Sequence, residues 1–124
     1  MTKLTKKEEQ IMQIVWRLKT AFIRDIIEAL PVNKKNQKPH YNTVATIVKI
    51  LVKKEFLKST LLGNTHQYSP LIAIEDYRED AIMDIKQKYF GNSFSKLLAH
   101  FAKGEKLSKE EIEELQQIIK DQKD

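Results

Sequence analysis

The sequence predicts a mainly α-helical fold with a small β-hairpin, organised as two domains. Three observations support this prediction. Amphipathic helical patterns recur along the chain, a hairpin pattern follows the third of them, and charge divides the chain into a basic and an acidic half. Residues 1–70 contain 13 Lys and Arg against 5 Asp and Glu, whereas residues 71–124 contain 9 against 12. We therefore expect the two domains to be residues 1–70 and residues 71–124.

Capping residues and apolar spacing predict the first two helices. Thr5 suits the N-cap and Glu8 completes a capping box, so the first helix runs from there to about Lys19. The second helix spans residues 23–30 and ends before a proline. The residues assigned to the core are Ile11, Met12, Ile14, Val15, Trp16 and Leu18 in the first helix and Ile23, Ile26, Ile27 and Leu30 in the second.

The segment Pro39–Leu57 predicts a third helix with two different faces. Its buried stripe is formed by Val44, Ile47, Val48 and Leu51. The opposite face carries short hydrogen-bonding side chains, a methyl group and lysines, with no carboxylate before Glu55. Such a face suits a DNA major groove, where base edges need donors and methyl contacts and phosphates need cations. An ordinary amphipathic helix with a solvated polar face is the alternative.

A hairpin pattern follows the third helix. Residues 56–62 are rich in β-forming side chains, Gly63-Asn64 marks a turn, and residues 65–69 can return as a second strand. Three helices followed by a hairpin is the order of a winged helix-turn-helix, whose third helix lies in the major groove, although other small α+β domains share this order. On this basis we predict two sets of DNA contacts. Base edges are assigned to Asn42, Thr43, Ala45, Thr46 and Lys49, and the DNA backbone to His40, Tyr41, Lys53, Asn64, Thr65 and His66.

The excess of positive charge in residues 1–70 indicates a polyanionic partner. Neutralising phosphates releases counterions and drives binding, so duplex DNA is the expected ligand. Lys34, Lys35 and Lys38, in the loop between the second and third helices, are further candidates for phosphate contact, with a solvated loop as the alternative. Excess lysine can also serve solubility alone. The competing function is a protein-interaction module whose basic surface docks an acidic partner.

The acidic half predicts three further helices. They are residues 74–90, a short helix capped by Ser93, and a last helix opened by the capping box of Ser108 and Glu111. About 50 residues in short helices can hardly close a core alone, so we expect them to form a homodimer interface. Packing back on the same chain is the alternative. The predicted interface residues are Tyr77, Ile85, Tyr89, Phe94, Leu97, Leu98, Phe101, Ile112, Leu115 and Ile118.

Several classes of function have no support in the sequence. The chain contains no cysteine, so it has no disulfide or thiolate metal site. His40, His66 and His100 lie far apart and do not have metal-ligand spacing. Glycine-rich phosphate loops and hydrolase motifs are also missing, so we expect neither an enzyme nor a cofactor. No apolar run of about 18 residues and no signal-peptide core is present, and we expect a cytoplasmic protein.

Segments from the whole chain resemble the BlaI/MecI penicillinase-repressor family. They are LTKKEEQIMQIVW, IRDIIEAL, YNTVATIVKILVKKEFL, QYSP, FSKLLAHF and LSKEEIEELQQII, in the order and spacing of that family. The resemblance implies a dimeric winged-helix repressor that binds an inverted-repeat operator, with an N-terminal DNA-binding domain and a C-terminal dimerisation domain. It further implies control by a membrane metalloprotease sensor, which triggers cleavage of the repressor within the dimerisation region.

The predicted DNA-binding region departs from the family at three places. Ala45 and Ile50 stand where the family often has arginine in the third helix. Glu55 occupies a place where glycine is common, and a left-handed conformation there costs about 1 kcal/mol for a residue with a side chain. The hairpin carries Asn, Thr, His and Gln at residues 64–67, where family members often have arginine. We therefore expect a different base preference and a different contact of the hairpin with phosphate.

Two further departures concern regulation. The Asn-Phe bond that is cleaved in antibiotic-responsive family members corresponds to His100-Phe101 in this chain. His100 and Phe101 are therefore the candidate cleavage site, with a histidine in place of the asparagine of those family members. Copper-responsive relatives use a cluster of cysteines, and the absence of cysteine from this sequence excludes that mode of sensing.

Overall fold

The structure is a computed structural model that describes residues 2–122. Within them lie six helices and one two-stranded sheet. The elements are α1 (Lys6–Leu18), α2 (Ile23–Ala29), α3 (Tyr41–Lys53), β1 (Leu57–Leu62), β2 (Thr65–Pro70), α4 (Ile74–Tyr89), α5 (Phe94–Lys103) and α6 (Lys109–Asp121). The order confirms the predicted mainly α fold with a winged helix-turn-helix at its N-terminal end. The chain forms two compact units, Met1–Arg78 and Glu79–Asp124.

Local hydrogen bonds explain where the first helices begin and end. The Thr5 hydroxyl accepts a bond from the Glu8 amide at 3.2 Å, and the Glu8 carboxylate accepts one from the Thr5 amide at 3.0 Å. This confirms the predicted capping box of α1. At the C-terminal end of α2, the Lys38 ammonium donates to the backbone carbonyls of Glu28 and Leu30. Lys38 therefore satisfies backbone acceptors that the end of the helix leaves free.

The core of the first unit lies between α1, α2, α3 and the start of the hairpin. Its buried members are Ile11, Met12, Ile14, Val15, Ala21, Ile23, Ile26, Leu30, Val44, Val48, Leu51, Phe56, Leu57 and Tyr68. Met12 is fully buried, as predicted, whereas Leu18 is exposed although the apolar pattern assigned it to the core. Leu18 is the last residue of α1 and lines an open surface depression beside Ala29 of α2, which leaves it uncovered.

A tight C-terminal turn ends α3 at Lys53, before the end of the segment predicted to be helical. Glu55 has φ of +65°, so it adopts the left-handed conformation although it has a side chain. The Phe56 amide donates to the Leu51 carbonyl at 2.9 Å, and the Glu55 amide donates to the Val52 carbonyl at 3.0 Å. These two bonds form a Schellman motif, and the buried side chains of Phe56 and Leu51 supply its apolar contact.

The hairpin joins to the rest of the unit through an isolated β-bridge. β1 and β2 are antiparallel, from Leu57 opposite Pro70 to Leu62 opposite Thr65. Gly63, in the two-residue turn, has φ of +62°, which favours glycine. Ala21, between α1 and α2, exchanges backbone hydrogen bonds of 2.9 and 2.8 Å with Tyr68. The sequence analysis did not predict this bridge, which fixes the base of the hairpin to the helices.

The start of α4 completes the first unit. The Trp16 indole donates to the Ile72 carbonyl at 2.9 Å, and the ring of Tyr77 lies 5.3 Å from that of Trp16 and 6.0 Å from that of Phe56. The Tyr77 hydroxyl donates to the Glu9 carboxylate at 2.8 Å. The chain beyond residue 70, the predicted domain boundary, thus continues to pack on the first unit as far as Arg78.

The second unit contains the rest of α4 together with α5 and α6. Ser93 caps α5, and Ser108 forms the predicted capping box with Glu111 through two hydrogen bonds of 3.1 Å. No residue among the described residues 79–122 is buried in the single chain. The second unit therefore consists of regular, capped helices without a closed core.

Candidate nucleic-acid interface

The outer face of α3 is polar, cationic and free of acidic side chains. No Asp or Glu lies between Tyr41 and Lys53. Four of the five residues predicted to contact base edges are exposed. The exposed residues of α3 are Tyr41, Asn42, Thr43, Thr46, Lys49, Ile50 and Lys53. A helix in a major groove needs such a surface, because it must offer hydrogen bonds and methyl groups to bases and cations to phosphates.

Ala45 differs from the other four residues predicted to contact bases. It is only partly exposed and packs against the buried core. Its position follows from helical spacing, because it adjoins the buried Val44 and lies three residues before the buried Val48. The structure therefore places Ala45 at the edge of the exposed face rather than at its centre.

Thr46 lies in the exposed face, with its hydroxyl already engaged. The hydroxyl donates to the backbone carbonyl of Asn42, one turn earlier, at 2.8 Å. This bond is a common alternative for threonine in a helix and restricts the rotamer of the side chain. Thr46 is left with its methyl group and an acceptor oxygen to offer a ligand.

An ion pair fixes the C-terminal end of α3 to the start of α1. The Lys54 ammonium lies 2.6 and 3.1 Å from the two carboxylate oxygens of Glu8, which is only 5% exposed. Burial by itself would raise the pKa of Glu8, but hydrogen bonds from Lys54 and the Thr5 amide, together with the charge of Lys54, outweigh it and lower the pKa. Glu8 thus stays ionised and holds α3 in position.

The hairpin offers few charges to a phosphate backbone. Lys58 is the only Lys, Arg, Asp or Glu in residues 57–70. Asn64, Thr65 and His66, predicted to contact the backbone, are all exposed near the tip. His66 Nδ1 lies 2.8 Å from the Ser59 hydroxyl oxygen on the opposite strand, which orients the imidazole ring. These residues can offer hydrogen bonds to phosphate, but little net charge.

A groove of about 600 Å³ lies between the hairpin, α2 and the start of α3. Tyr41 and His66 line it, together with Arg24 and Glu28 of α2. The groove brings Tyr41 of α3 and His66 of the hairpin, two of the predicted backbone contacts, to one surface. Sequence reasoning did not single out Arg24, because its position on α2 relative to the hairpin depends on the tertiary fold.

Tyr68 forms the floor of the same groove. It is buried, and burial raises the pKa of its phenol above the ordinary value. A hydrogen bond with Ser59 opposes this rise, and the neighbouring Tyr41 adds to it. The phenol therefore remains neutral and serves as a packed, hydrogen-bonded base for the hairpin.

The remaining predicted backbone contacts lie around the start and end of α3. His40 is exposed at the N-cap position and makes no side-chain capping bond. Lys53 is exposed in the last turn. Of the lysines in the preceding loop, Lys34 and Lys35 are exposed, whereas Lys38 is held by the carbonyls at the end of α2. Lys38 thus has a structural role that the sequence analysis did not foresee.

The predicted dimer interface falls mainly on exposed apolar side chains of the second unit. Tyr77 packs in the first unit, against Trp16 and Phe56, and remains partly exposed. The exposed members of the set are Ile85, Tyr89, Phe94, Leu98, Phe101 and Ile118, and the partly exposed ones are Leu97, Ile112 and Leu115. Large exposed apolar patches are unusual on monomers and often mark sites of association.

His100 and Phe101, the predicted cleavage site, lie inside α5. The His100 ring lies 5.7 Å from Phe90 and 5.5 Å from Phe101. A protease that binds its substrate in an extended conformation would first have to unwind this part of α5.

The described residues contain no group of three or more His, Cys, Asp or Glu that could hold a metal ion. Within the same part of the chain, no helix has the length and apolarity needed to cross a membrane.

The chain is similar to known repressors over nearly its whole length. The penicillinase repressor of Staphylococcus aureus is 29% identical over 118 residues, which covers 95% of this chain and 91% of the relative. The methicillin resistance regulatory protein MecI of S. aureus strain N315 is 29% identical over 116 residues, or 94% and 92% of the two chains. A solved structure of the CopR repressor is 28% identical, covers 57% of this chain and 99% of its own, and superposes with a TM-score of 0.47.

A family model also matches nearly the whole chain. The model described as penicillinase repressor matches residues 4–121. The predicted resemblance is thereby confirmed, and so is the expectation that the chain is not an enzyme, because the family and the relatives are repressors. The chain belongs to the penicillinase-repressor family.

Proposed function

We propose that this chain is a transcriptional repressor that binds duplex DNA as a homodimer, with α3 of each protomer in the major groove of one half of an inverted-repeat operator. The observation that carries this proposal is the outer face of α3, which lacks carboxylates over thirteen residues and carries Lys49 and Lys53 beside Asn42 and Thr46. The names of the relatives, penicillinase repressor and MecI, point in the same direction.

Electrostatics favours DNA as the ligand of the first unit. The excess of 13 Lys and Arg over 5 Asp and Glu in residues 1–70 provides the cations for phosphate contact. Lysines of α3 lie on the same side as its short polar side chains, so phosphates and base edges can be contacted together. Affinity would then fall steeply with salt, since each neutralised phosphate releases condensed counterions.

The exposed apolar faces of the second unit support dimerisation. Its apolar side chains, including Phe94, Leu98 and Phe101, remain exposed on a single chain. A symmetric dimer would cover these faces and place two copies of α3 on two half-sites. Repression would be relieved by a membrane sensor-protease pathway that removes or weakens the dimer, with His100-Phe101 as the bond for cleavage.

The test is retention on duplex DNA of random sequence as a function of salt, with poly-glutamate of matched charge as the competing polyanion. We expect the protein to bind DNA at low salt. The logarithm of its binding constant should then fall linearly with the logarithm of the salt concentration. Poly-glutamate should compete weakly, because it lacks the groove that receives α3. Binding to poly-glutamate but not to DNA would instead identify a module that docks acidic proteins, and the repressor proposal would fail.

A further inference from the structure

The exposed face of α3 carries two different kinds of side chain. Asn42, Lys49 and Lys53 supply amide and ammonium groups. Thr46 and Ile50 follow each other at i and i+4, so they are neighbours on the helix surface, and both end in methyl groups. The face therefore combines phosphate-binding cations with a small apolar patch.

The hydroxyl of Thr46 is not free to donate a hydrogen bond to a base. It already donates to the Asn42 carbonyl at 2.8 Å, and this bond holds the side chain in one rotamer. The methyl group is thus held in a fixed position before any ligand binds. A preorganised contact of this kind costs little side-chain entropy on binding.

Ile50 is 39% exposed in the middle of a cationic face. A branched apolar side chain gains from leaving water, so this position is suited to an apolar contact in the complex. The helix contains no arginine between Tyr41 and Lys53. It therefore lacks the planar, bidentate donor that most often recognises guanine in the major groove.

We propose that Thr46 and Ile50 recognise thymine, through contact with its 5-methyl group in the major groove. Thymine is the one DNA base that presents a methyl group there, which makes it the chemical match for this patch. The inference rests on the proposed function, since it names the bases that α3 of a DNA-binding repressor would select. It assigns a specificity role to Ile50, which the sequence analysis did not place among the base contacts.

The experiment removes single methyl groups from the DNA. Full-length protein selects duplexes from a randomised library, and each thymine of the preferred sequence is then replaced, one at a time, by uracil, which pairs identically but lacks the methyl. We expect uracil to weaken binding about fourfold at the positions that Thr46 and Ile50 contact, the effect of one buried methyl. It should leave binding unchanged elsewhere.

Variants assign each thymine to a side chain. Ile50→Ala should bring the ratio of thymine to uracil affinity to one at its own position, and Thr46→Ser should do the same at another. Thr46→Val, which keeps a methyl, should retain the ratio. Lys53→Ala, at a position assigned to the DNA backbone, is the matched control, because it should weaken binding to both duplexes by the same factor and leave the ratio unchanged. All three positions are exposed, so the fold should tolerate these changes.

Two negative results have different meanings. If selected duplexes bind but uracil changes the affinity at no position, the thymine inference is overturned and the repressor proposal stands. If no duplex of any sequence binds, the proposed function fails and the inference fails with it. Selection of guanine at the positions that respond to Ile50→Ala would also overturn the thymine assignment.

Discussion

The Glu8 carboxylate lies 2.6 Å from the Lys54 ammonium and joins the first turn of α1 to the end of α3. Removing Lys54 would leave a nearly buried carboxylate without its charged partner. Because Lys54 is itself partly exposed, we expect Lys54→Met to lower the free energy of unfolding by about 1–3 kcal/mol, less than for a fully buried pair. Urea denaturation at neutral pH measures this loss, and Lys53→Met, at the exposed neighbouring position, is the control.

The same ion pair predicts a pH dependence. The pKa of Glu8 is lower in the folded protein than in the unfolded chain, so the unfolded chain binds the proton more readily. The stabilisation is therefore complete above the ordinary glutamate pKa and is lost as pH falls through the lowered pKa of Glu8. Urea denaturation measured from neutral to acidic pH should show that the difference in free energy of unfolding between wild type and Lys54→Met becomes smaller. A gap that stays constant down to the acid end would show that Glu8 contributes nothing through its charge.

The left-handed Glu55 predicts a stabilising substitution. Its φ of +65° is unfavourable for a residue with a Cβ and is readily adopted by glycine. We expect Glu55→Gly to raise the free energy of unfolding by about 0.5–1 kcal/mol, after allowing for the greater freedom of glycine in the unfolded chain. Glu55→Ala removes the charge but keeps the Cβ and should give no such gain. A Glu55→Gly variant no more stable than Glu55→Ala would mean that relief of backbone strain does not outweigh the greater freedom of glycine in the unfolded chain.

The lysines of α3 predict a uniform effect on DNA binding. Lys49→Ala and Lys53→Ala should each reduce affinity for all sequences and lower the slope of log affinity against log salt by about one. Lys120→Ala, in α6, is the control and should leave the slope unchanged. Fluorescence anisotropy over a series of salt concentrations gives both quantities. An unchanged slope in both α3 variants would place the phosphate contacts on other parts of the protein.

The exposed apolar face of α5 predicts the site of dimerisation. Leu98 is 39% exposed in the single chain, so Leu98→Asp should leave the monomer folded while placing a charge in the desolvated interface. We expect a monomer in sedimentation analysis with unchanged helical circular dichroism. Leu71→Asp, at an exposed leucine outside the second unit, should remain dimeric. If Leu98→Asp also stays dimeric, the interface lies on other residues.

Local patterns predicted most of the fold. Thr5 with Glu8 and Ser108 with Glu111 located helix starts, because a capping box depends only on residues three apart. Such features depend on neighbours in the sequence and can be recognised without the tertiary structure.

Long-range contacts could not be predicted in the same way. The pairing of Ala21 with Tyr68 joins residues far apart in sequence, and neither carries a signal for it. Tyr77 has the spacing of an interface residue, yet Trp16 and Phe56 draw it into the first unit. Within the candidate site, Ala45 adjoins the buried stripe of α3, and its partial burial depends on how closely the neighbouring elements approach.

The central claim is that two copies of α3 bind two half-sites of one operator, and hydroxyl-radical footprinting tests it most directly. The duplex is the preferred sequence selected by full-length protein. We predict two symmetric protected segments with centres about 10 base pairs or a multiple of this apart, because both copies must face the same side of the duplex. Leu98→Asp should abolish both protections at concentrations at which the wild type is fully bound. A single asymmetric footprint, or no protection of the selected duplex, would contradict the claim.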